Sequence, residues 1–230
     1  MSKQTLPPDV LEALRTYDSA TIANAIEHFK VRDRTTGYAN NELVCQFPQP
    51  KPMVGYAVTC IGDTTMPGDT RKSGVADLVD LVDAAPKPVV VVIQAAGHER
   101  ARMCYLGDMF TATMSKLGCV GVVTDGNCRD RSGIQQRTPD FHLFSRGWVV
   151  SHGYGAYYNF NTTVTVAGLT VEPGDLLHGD ESGVLKVPTE VAEPALERAR
   201  ELRNFEQEYF RYLKSDEFDM EEMKRRFAPP

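Results

Sequence analysis

The sequence has no long hydrophobic run. Its longest unbroken apolar stretch is residues 89–93, VVVVI, far short of the roughly 20 residues that cross a bilayer, so no membrane association is expected. It has no excess of positive charge either. Its 25 Lys and Arg stand against 31 Asp and Glu, a formal net charge of −6. That balance argues against general nucleic-acid binding, whose affinity comes from neutralising phosphates. Cys45, Cys60, Cys104, Cys119 and Cys128 are odd in number and contain no C-x-x-C pair. Reduced thiols are expected, not a disulfide frame or a thiolate zinc site. The histidines show no H-E-x-x-H or close pair, which argues against a histidine-rich metal site. Internal repeats and low-complexity tracts are absent. Residues 1–5 carry no apolar signal core, so a cytoplasmic location is expected.

What is present suits a soluble globular chain: 42% hydrophobic and 24% charged residues in a length of 230, enough for one large domain or two small ones. Pro7 and Pro8 precede Asp9, a candidate N-cap for a helix over residues 10–15, and Asp18 or Ser19 caps a second over 20–29. Residues 30–52, with Gly37, Pro48, Pro50 and Pro52, read as a long surface loop. Residues 53–61 alternate as a strand. Val75, Leu78, Val79 and Val82 mark an amphipathic helix that ends before Pro86 and Pro88. The β-branched run at 89–93 reads as a strand buried on both faces. A helix over 108–117 and a strand over 120–123 complete a βαβ unit. Later strands are expected at 148–151, 162–166 and 184–187, then a long charged helix from 189 to about 214 and a shorter one to 227. The expected organisation is a single α/β domain over residues 1–188 followed by a helical tail over 189–230.

The chemistry concentrates between Leu106 and Asp130. Gly107-Asp108 opens a helix, whose first turn offers unpaired N–H groups and a positive helix end to a carboxylate or phosphate. Arg129-Asp130 follows the next strand, and ligands of open α/β sheets bind at carboxyl ends of strands. Two carboxylates can hold a hard divalent cation, and a guanidinium can grip a carboxylate bidentately. By spacing alone the simpler reading is a helix-capping Asp108 and a surface Arg129–Asp130 ion pair.

The stretch resembles the RraA-like family, which includes the class II 4-hydroxy-4-methyl-2-oxoglutarate aldolases. Twenty residues separate Asp108 from Arg129-Asp130, the spacing that marks the aldolase members. The resemblance extends to Gly118-x-x-Gly121-Val122-Val123-x-Asp125-Gly126, to residues 171–175 and 180–188, and to the early helix at 19–25. It implies a swivelling β/β/α fold, with a central mixed sheet sandwiched by helices, assembled as a homotrimer or hexamer with sites between subunits.

The resemblance also implies roles. Asp130 would ligate Mg2+ or Mn2+ and Asp108 would hold a metal-bound water. Arg129 would bind a small 2-oxo acid and steady its enolate, while Gly107, Asp108, Met109, Phe110 and Thr111 would receive the substrate carboxylate. The implied reaction is retro-aldol cleavage of a 4-hydroxy-2-oxo acid to pyruvate, with oxaloacetate decarboxylation as a side activity. No His or Lys is among the matched residues from Gly107 to Asp130, so a metal-bound water is the expected proton carrier. One departure stands out. Asn24 occupies the position where an acidic residue of the first helix is expected, with Glu27 one turn on, which leaves the base open. A tail residue such as Glu206, brought by a neighbouring subunit, is a further candidate for the site. The alternatives are another 2-oxo acid lyase or decarboxylase using the same metal enolate chemistry, or a non-enzymatic regulator that binds a ribonuclease.

Other residues have plain structural readings. Tyr154, Tyr157, Tyr158 and Phe160 suit a core or subunit interface. Asp77, Asp80 and Asp83 suit a solvated helix face. Among the histidines only His98, expected in a loop before the motif helix, attracts functional interest; His28, His142, His152 and His178 do not.

Overall fold

The computed structural model describes residues 5–65 and 74–227; the first four residues, on which the leader reading partly rests, lie outside them. Helix α1 (Pro8–Leu14) has Pro7 as its N-cap, so Asp9 lies in the first turn and is not the cap. Proline at the first helical position needs no N–H and already has a helical φ, which starts the helix earlier than the acidic residue suggests. Helix α2 (Ser19–Glu27) is capped by Asp18, whose carboxylate accepts from Thr21 N at 2.8 Å. The long loop contains one short strand, β1 (Val44–Cys45).

The centre of the chain then builds its parallel core. Strand β2 (Met53–Asp63) leads through α3 (Val75–Ala84) to β3 (Val89–Ala95). Strand β4 (Cys104–Leu106) precedes α4 (Asp108–Lys116) and β5 (Cys119–Thr124). Strand β6 (Asn127–Cys128) precedes α5 (Arg131–Arg137) and β7 (His142–Ser145). The remainder comprises β8 (Gly147–Trp148), β9 (Ala156–Tyr158), β10 (Val164–Val166), β11 (Leu169–Val171), β12 (Leu176–Asp180) and β13 (Gly183–Val187). Helices α6 (Ala192–Leu213) and α7 (Met220–Phe227) close it. Among the described residues no helix is long and apolar enough to cross a membrane.

Eight strands form a mixed sheet in the order β1-β7-β5-β3-β2-β12-β13, with β9 also pairing β2. Strands β2, β3, β5 and β7 are mutually parallel neighbours, and the expected βαβ unit is β3-α4-β5. Strand β2 is buried almost throughout, on both faces. Its small and polar alternate residues are not a solvent face, because they lie under a second layer.

Residues of alternate parity on a strand share a face, and this sorts the core. Val54, Tyr56, Val58 and Cys60 of β2, with Val91 and Ile93 of β3, pack under helices. Leu11, Leu14, Ile22, Ala195 and Ala199 cover one half of that face; Leu78, Val82, Met114 and Ile134 cover the other. The opposite face, with Val90, Val92, Val123 and Leu177, is covered by Val164, Val166, Leu169 and Val171 of the β10–β11 hairpin. The expectation of helices on both sides is therefore corrected: one layer is helical and the other is a β-hairpin. The strand expected at 148–151 is likewise shortened to β8, and Val150 is 96% exposed. The neighbouring place in the parallel sheet is taken by β7, whose four buried residues carry two polar side chains, His142 and Ser145. The His142 ring faces Lys51 O at 3.0 Å through Nε2 and Val120 O at 3.3 Å through Nδ1, and as a neutral imidazole it donates to one of the two carbonyls at a time.

The tail returns to its own chain. Ala192, Ala195 and Ala199 of α6 are fully buried against the N-terminal helices, and Arg203 donates to Thr16 O at 2.9 Å. Helix α7 turns back on α6, placing the Arg226 guanidinium 4.4 Å from the Tyr212 ring centroid.

Candidate active site

A small parallel sheet, β4-β6-β8, positions the site. Each of the three parallel strands β3, β5 and β7 runs out at its carboxyl end and is followed by one of these short strands. Asp108 comes at the end of β4 and Arg129-Asp130 at the end of β6, on adjacent strands in parallel register: Cys104 pairs with Asn127 and Leu106 with Cys128. Arg129 N donates to Leu106 O at 3.0 Å, which fixes the two strand ends side by side. Beneath them, buried Asp125 ties β5 to β3 by accepting from Ala95 N at 2.7 Å. Its other oxygen faces the Arg100 guanidinium at 3.1 Å, close enough for charge pairing but not aligned for a hydrogen bond. Burial pushes the Asp125 carboxyl above its ordinary value, against the opposing pull of the Ala95 N–H and Arg100. It is a structural tie, and it does not line the cavity.

The strand ends enclose a cavity of about 210 Å3 lined by Gly107, Asp108, Met109, Phe110, Arg129 and Asp130, together with Cys104, His152 and Tyr157. The structure thus brings Asp108, Arg129 and Asp130 onto one wall. Arg129 Nε lies 3.3 Å from Asp130 Oδ2. Asp130 has φ 60° and ψ 40° and serves as the N-cap of α5 without a side-chain cap bond, so its carboxylate is not consumed in closing the helix. Asp108 is not the N-cap of α4; Gly107 is. The Asp108 carboxylate accepts from Met109 N at 2.8 Å and pairs with Arg137 Nη1 at 2.7 Å.

Two glycines permit this packing. A Cβ on Gly107 would collide with Asp130 Oδ2, and one on Gly133 would meet Asp108 Oδ2 at 2.7 Å. Of the expected carboxylate-binding N–H groups, Met109's already serves Asp108 and Thr111's donates to Gly107 O at 3.1 Å. The Thr111 side chain is fully buried, so Thr111 supports the helix from below and does not face the cavity. Among Met109, Phe110 and Thr111, Phe110, whose ring stacks on Tyr157 at 5.9 Å between centroids, is left with the first-turn N–H that can turn to a ligand. Met109 is 82% exposed at the rim.

Arg137 was not legible as a site residue, because it sits a full helix away from the motif. Tyr157 and His152 reach the wall from the segment after β8. Tyr157 is buried, donates its hydroxyl to Tyr105 O, and has its ionisation pushed up by burial. Burial also raises the Cys104 thiol. The Asn24 and Glu27 side chains belong to α2, which packs over the other half of the sheet; Glu27 pairs with Arg34 at 3.6 Å. Neither they nor Glu206 lines this cavity within one chain. His98 lines a larger cavity of about 810 Å3 with Glu99, Arg102 and Tyr154, apart from the three motif residues. The paired carboxylates and the guanidinium of the motif line the smaller space, and the larger one lacks paired carboxylates.

Among the described residues no group of three or more His, Cys, Asp or Glu side chains forms a metal cage. Asp108 and Asp130 supply hard oxygen donors beside a small cavity. That donor set fits an ion such as Mg2+, which keeps several waters and takes one or two protein carboxylates.

This fold and this pair of strand ends define an α/β protein with a pocket, lined by two carboxylates and a guanidinium, at the carboxyl ends of parallel strands. The family described as RraA-like: Aldolase/RraA matches residues 18–186, and the chain belongs to that family. Over 185 residues, 80% of the chain, it is 24% identical to Protein DlpA of Legionella pneumophila, spanning 28% of that protein. Over 129 residues, 54% of the chain, it is 30% identical to a protein of Halalkalibacterium halodurans named "Putative 4-hydroxy-4-methyl-2-oxoglutarate aldolase", spanning 58% of it. The chain thus spans less than two thirds of either relative. Its fold matches the crystal structure of Streptomyces coelicolor RraAS2, described as an unusual member of the RNase ES inhibitor RraA protein family. The TM-score is 0.69 at 20% identity, covering 89% of this chain and 97% of that one.

Proposed function

We propose that this chain is a divalent-metal-dependent lyase that cleaves a 4-hydroxy-2-oxo acid to pyruvate, with oxaloacetate decarboxylation as a side activity. The observation that carries the reading is the convergence of Asp108, Arg129 and Asp130 on one cavity at the start of α4. The aldolase names of relatives support it. Asp130 would hold Mg2+ or Mn2+ directly and Asp108 through a water. A bound divalent ion supplies Lewis-acid polarisation of the 2-oxo group. Arg129 grips the substrate's carboxylate and offsets the negative charge that develops as the C3–C4 bond breaks. The Phe110 N–H and the positive end of α4 add to that field. Arg137 holds the Asp108 carboxylate in place from behind.

The test is pyruvate release, followed with lactate dehydrogenase, from 4-hydroxy-4-methyl-2-oxoglutarate and from oxaloacetate by the purified full chain with Mg2+ or Mn2+. Metal-dependent release that disappears in Asp130→Asn supports the proposal, because Asn tolerates the left-handed backbone of that position while removing the anionic donor. Absence of pyruvate with both metals and both substrates sinks it. Light scattering on the same preparation tests the proposed trimer or hexamer.

A further inference from the structure

We propose that His152 is the proton carrier of this cavity, an inference that rests on the lyase reading. Retro-aldol cleavage needs a base for the 4-hydroxyl and an acid for C3 of the enolate. Asn24 cannot serve, and beside a water held at Asp108 the wall of the cavity offers few other groups. The Arg129 guanidinium is a donor only, with no acceptor for a proton. Asp108 is engaged by Arg137 and the Met109 N–H, and Asp130 faces Arg129. Cys104 and Tyr157 are buried, with ionisation pushed up by burial, and the Tyr157 hydroxyl is donated to Tyr105 O. His152 is exposed, and its ring makes no hydrogen bond among the described residues. An imidazole can both accept and return a proton.

The backbone explains why this residue reaches the cavity. Val149, Val150, Ser151, Gly153 and Tyr154 line the separate 810 Å3 cavity, whereas His152 and Gly155 line the cavity of Asp108. The loop is thus a partition, and His152 is its contribution to the motif side. It is anchored there: Tyr154 N donates to Thr64 O at 2.9 Å, and Gly153, at φ +57°, abuts the same carbonyl so closely that a Cβ would collide with it. The anchoring presents His152 from a backbone held to the end of β2, although its side chain is exposed.

The proton balance closes on one group. Neutral His152 takes the proton of the 4-hydroxyl; the O–H electron pair becomes the new carbonyl, and the C3–C4 pair becomes the enolate of pyruvate. After the carbonyl product leaves, imidazolium returns the same proton to C3, giving the methyl group of pyruvate. In the absence of the second product, the return step run backwards exchanges the pyruvate methyl protons with solvent.

The experiment compares the full-length wild type with H152Q and H152N in Mg2+. It follows cleavage of the 4-hydroxy-2-oxo acid and NMR-detected exchange of pyruvate methyl protons in D2O, with circular dichroism to confirm folding. The expected result is a loss of roughly 10²–10⁴-fold in both reactions, KM held within about threefold, and partial rescue by added imidazole. In addition, the imidazole signals assigned to His152 by their loss in H152Q shift when oxalate is added to the wild type. A wild type that exchanges and cleaves, with H152Q and H152N folded and within about threefold of it, overturns the role of His152 and leaves the lyase reading standing. A wild type that does neither overturns the lyase reading and this inference together. Unmoved His152 signals under saturating oxalate overturn the inference directly.

Discussion

The carboxylate of Asp108 lies 2.7 Å from the guanidinium of Arg137, joining the first turn of α4 to the last turn of α5. Both side chains are partly exposed, 23% and 54%, so the pair adds only about 0–1 kcal/mol to stability. Its consequence is orientation: Asp108 is held on the cavity wall by a cation on a separate helix. Arg137→Gln is therefore expected to leave the thermal midpoint nearly unchanged while lowering metal affinity or turnover about 10–100-fold, the usual effect of removing a partner of a metal-site carboxylate. Calorimetric Mn2+ titration beside thermal denaturation checks it. A variant that loses stability but keeps its metal affinity would contradict the orienting role.

Gly107 makes the corresponding prediction for Asp130. Its φ of −138° and ψ of −165° suit any residue, so Gly107→Ala does not strain the backbone. The new methyl group must instead displace the Asp130 carboxylate. Turnover is expected to fall at least tenfold with stability changed by less than about 1 kcal/mol, as read by steady-state kinetics and urea denaturation.

Asp130 itself occupies the left-handed region at φ 60°. Such a conformation costs an L-residue about 1 kcal/mol and glycine almost nothing. Asp130→Gly is accordingly expected to abolish metal-dependent turnover while leaving stability unchanged or raised by up to about 1 kcal/mol. A fall in the denaturation midpoint would show that this carboxylate holds the fold together, and would count against its assignment to the site.

Two buried histidines set the acid limit of the fold. His178 is fully buried; its Nδ1 is 2.9 Å from Ser19 Oγ and its Nε2 3.1 Å from Leu14 O. Burial lowers the pKa of His178 and of His142 below the ordinary imidazole value. The unfolded chain then binds more protons than the native one just below the ordinary value, so stability is full above about pH 6.5 and declines as pH falls toward the depressed native values. Each group contributes up to about 1.4 kcal/mol per pH unit in that window. Urea midpoints measured from pH 8 to pH 5 should fall, and His178→Gln should be weaker at pH 8 but flatter toward acid.

The thiols are expected to be inert in the folded protein. Burial pushes Cys60 up to about 12 and Cys45 and Cys119 up to about 11, and Cys104 and Cys128 also rise. Ellman's reagent at pH 8 should label the native chain slowly, beginning with half-buried Cys45, and should titrate all five thiols promptly after denaturation.

The legible parts of this molecule were those encoded by local pattern. The VVVVI run, β-branched throughout, read as a strand buried on both faces, and β3 is one. The spacing from Asp108 to Arg129-Asp130 contains one helix and two strands, α4, β5 and the short β6, and the structure brings its two ends together on adjacent strands. Asp18 was readable as a cap because its carboxylate meets an N–H three residues away. Strands β7 and β12 were not readable, since their buried polar residues His142, Ser145 and His178 break any apolar signature. Those polar groups are tolerated because each finds a partner: His142 meets Lys51 O and His178 meets Ser19 Oγ from distant segments, and Ser145 donates to Gly147 O two residues on.

The sequence by itself determined the parallel βαβ core and the acidic character, and its family resemblance singled out Asp108, Arg129 and Asp130 as candidates, because periodicity, caps and motif spacing are properties of neighbours along the chain. Tertiary structure alone decided that a hairpin covers one face of the sheet. It also decided that Arg137 stands behind Asp108 and that His152 and Tyr157 close the cavity from another part of the chain. Those relationships depend on strand order and on close approach between distant segments, and no local pattern encodes either.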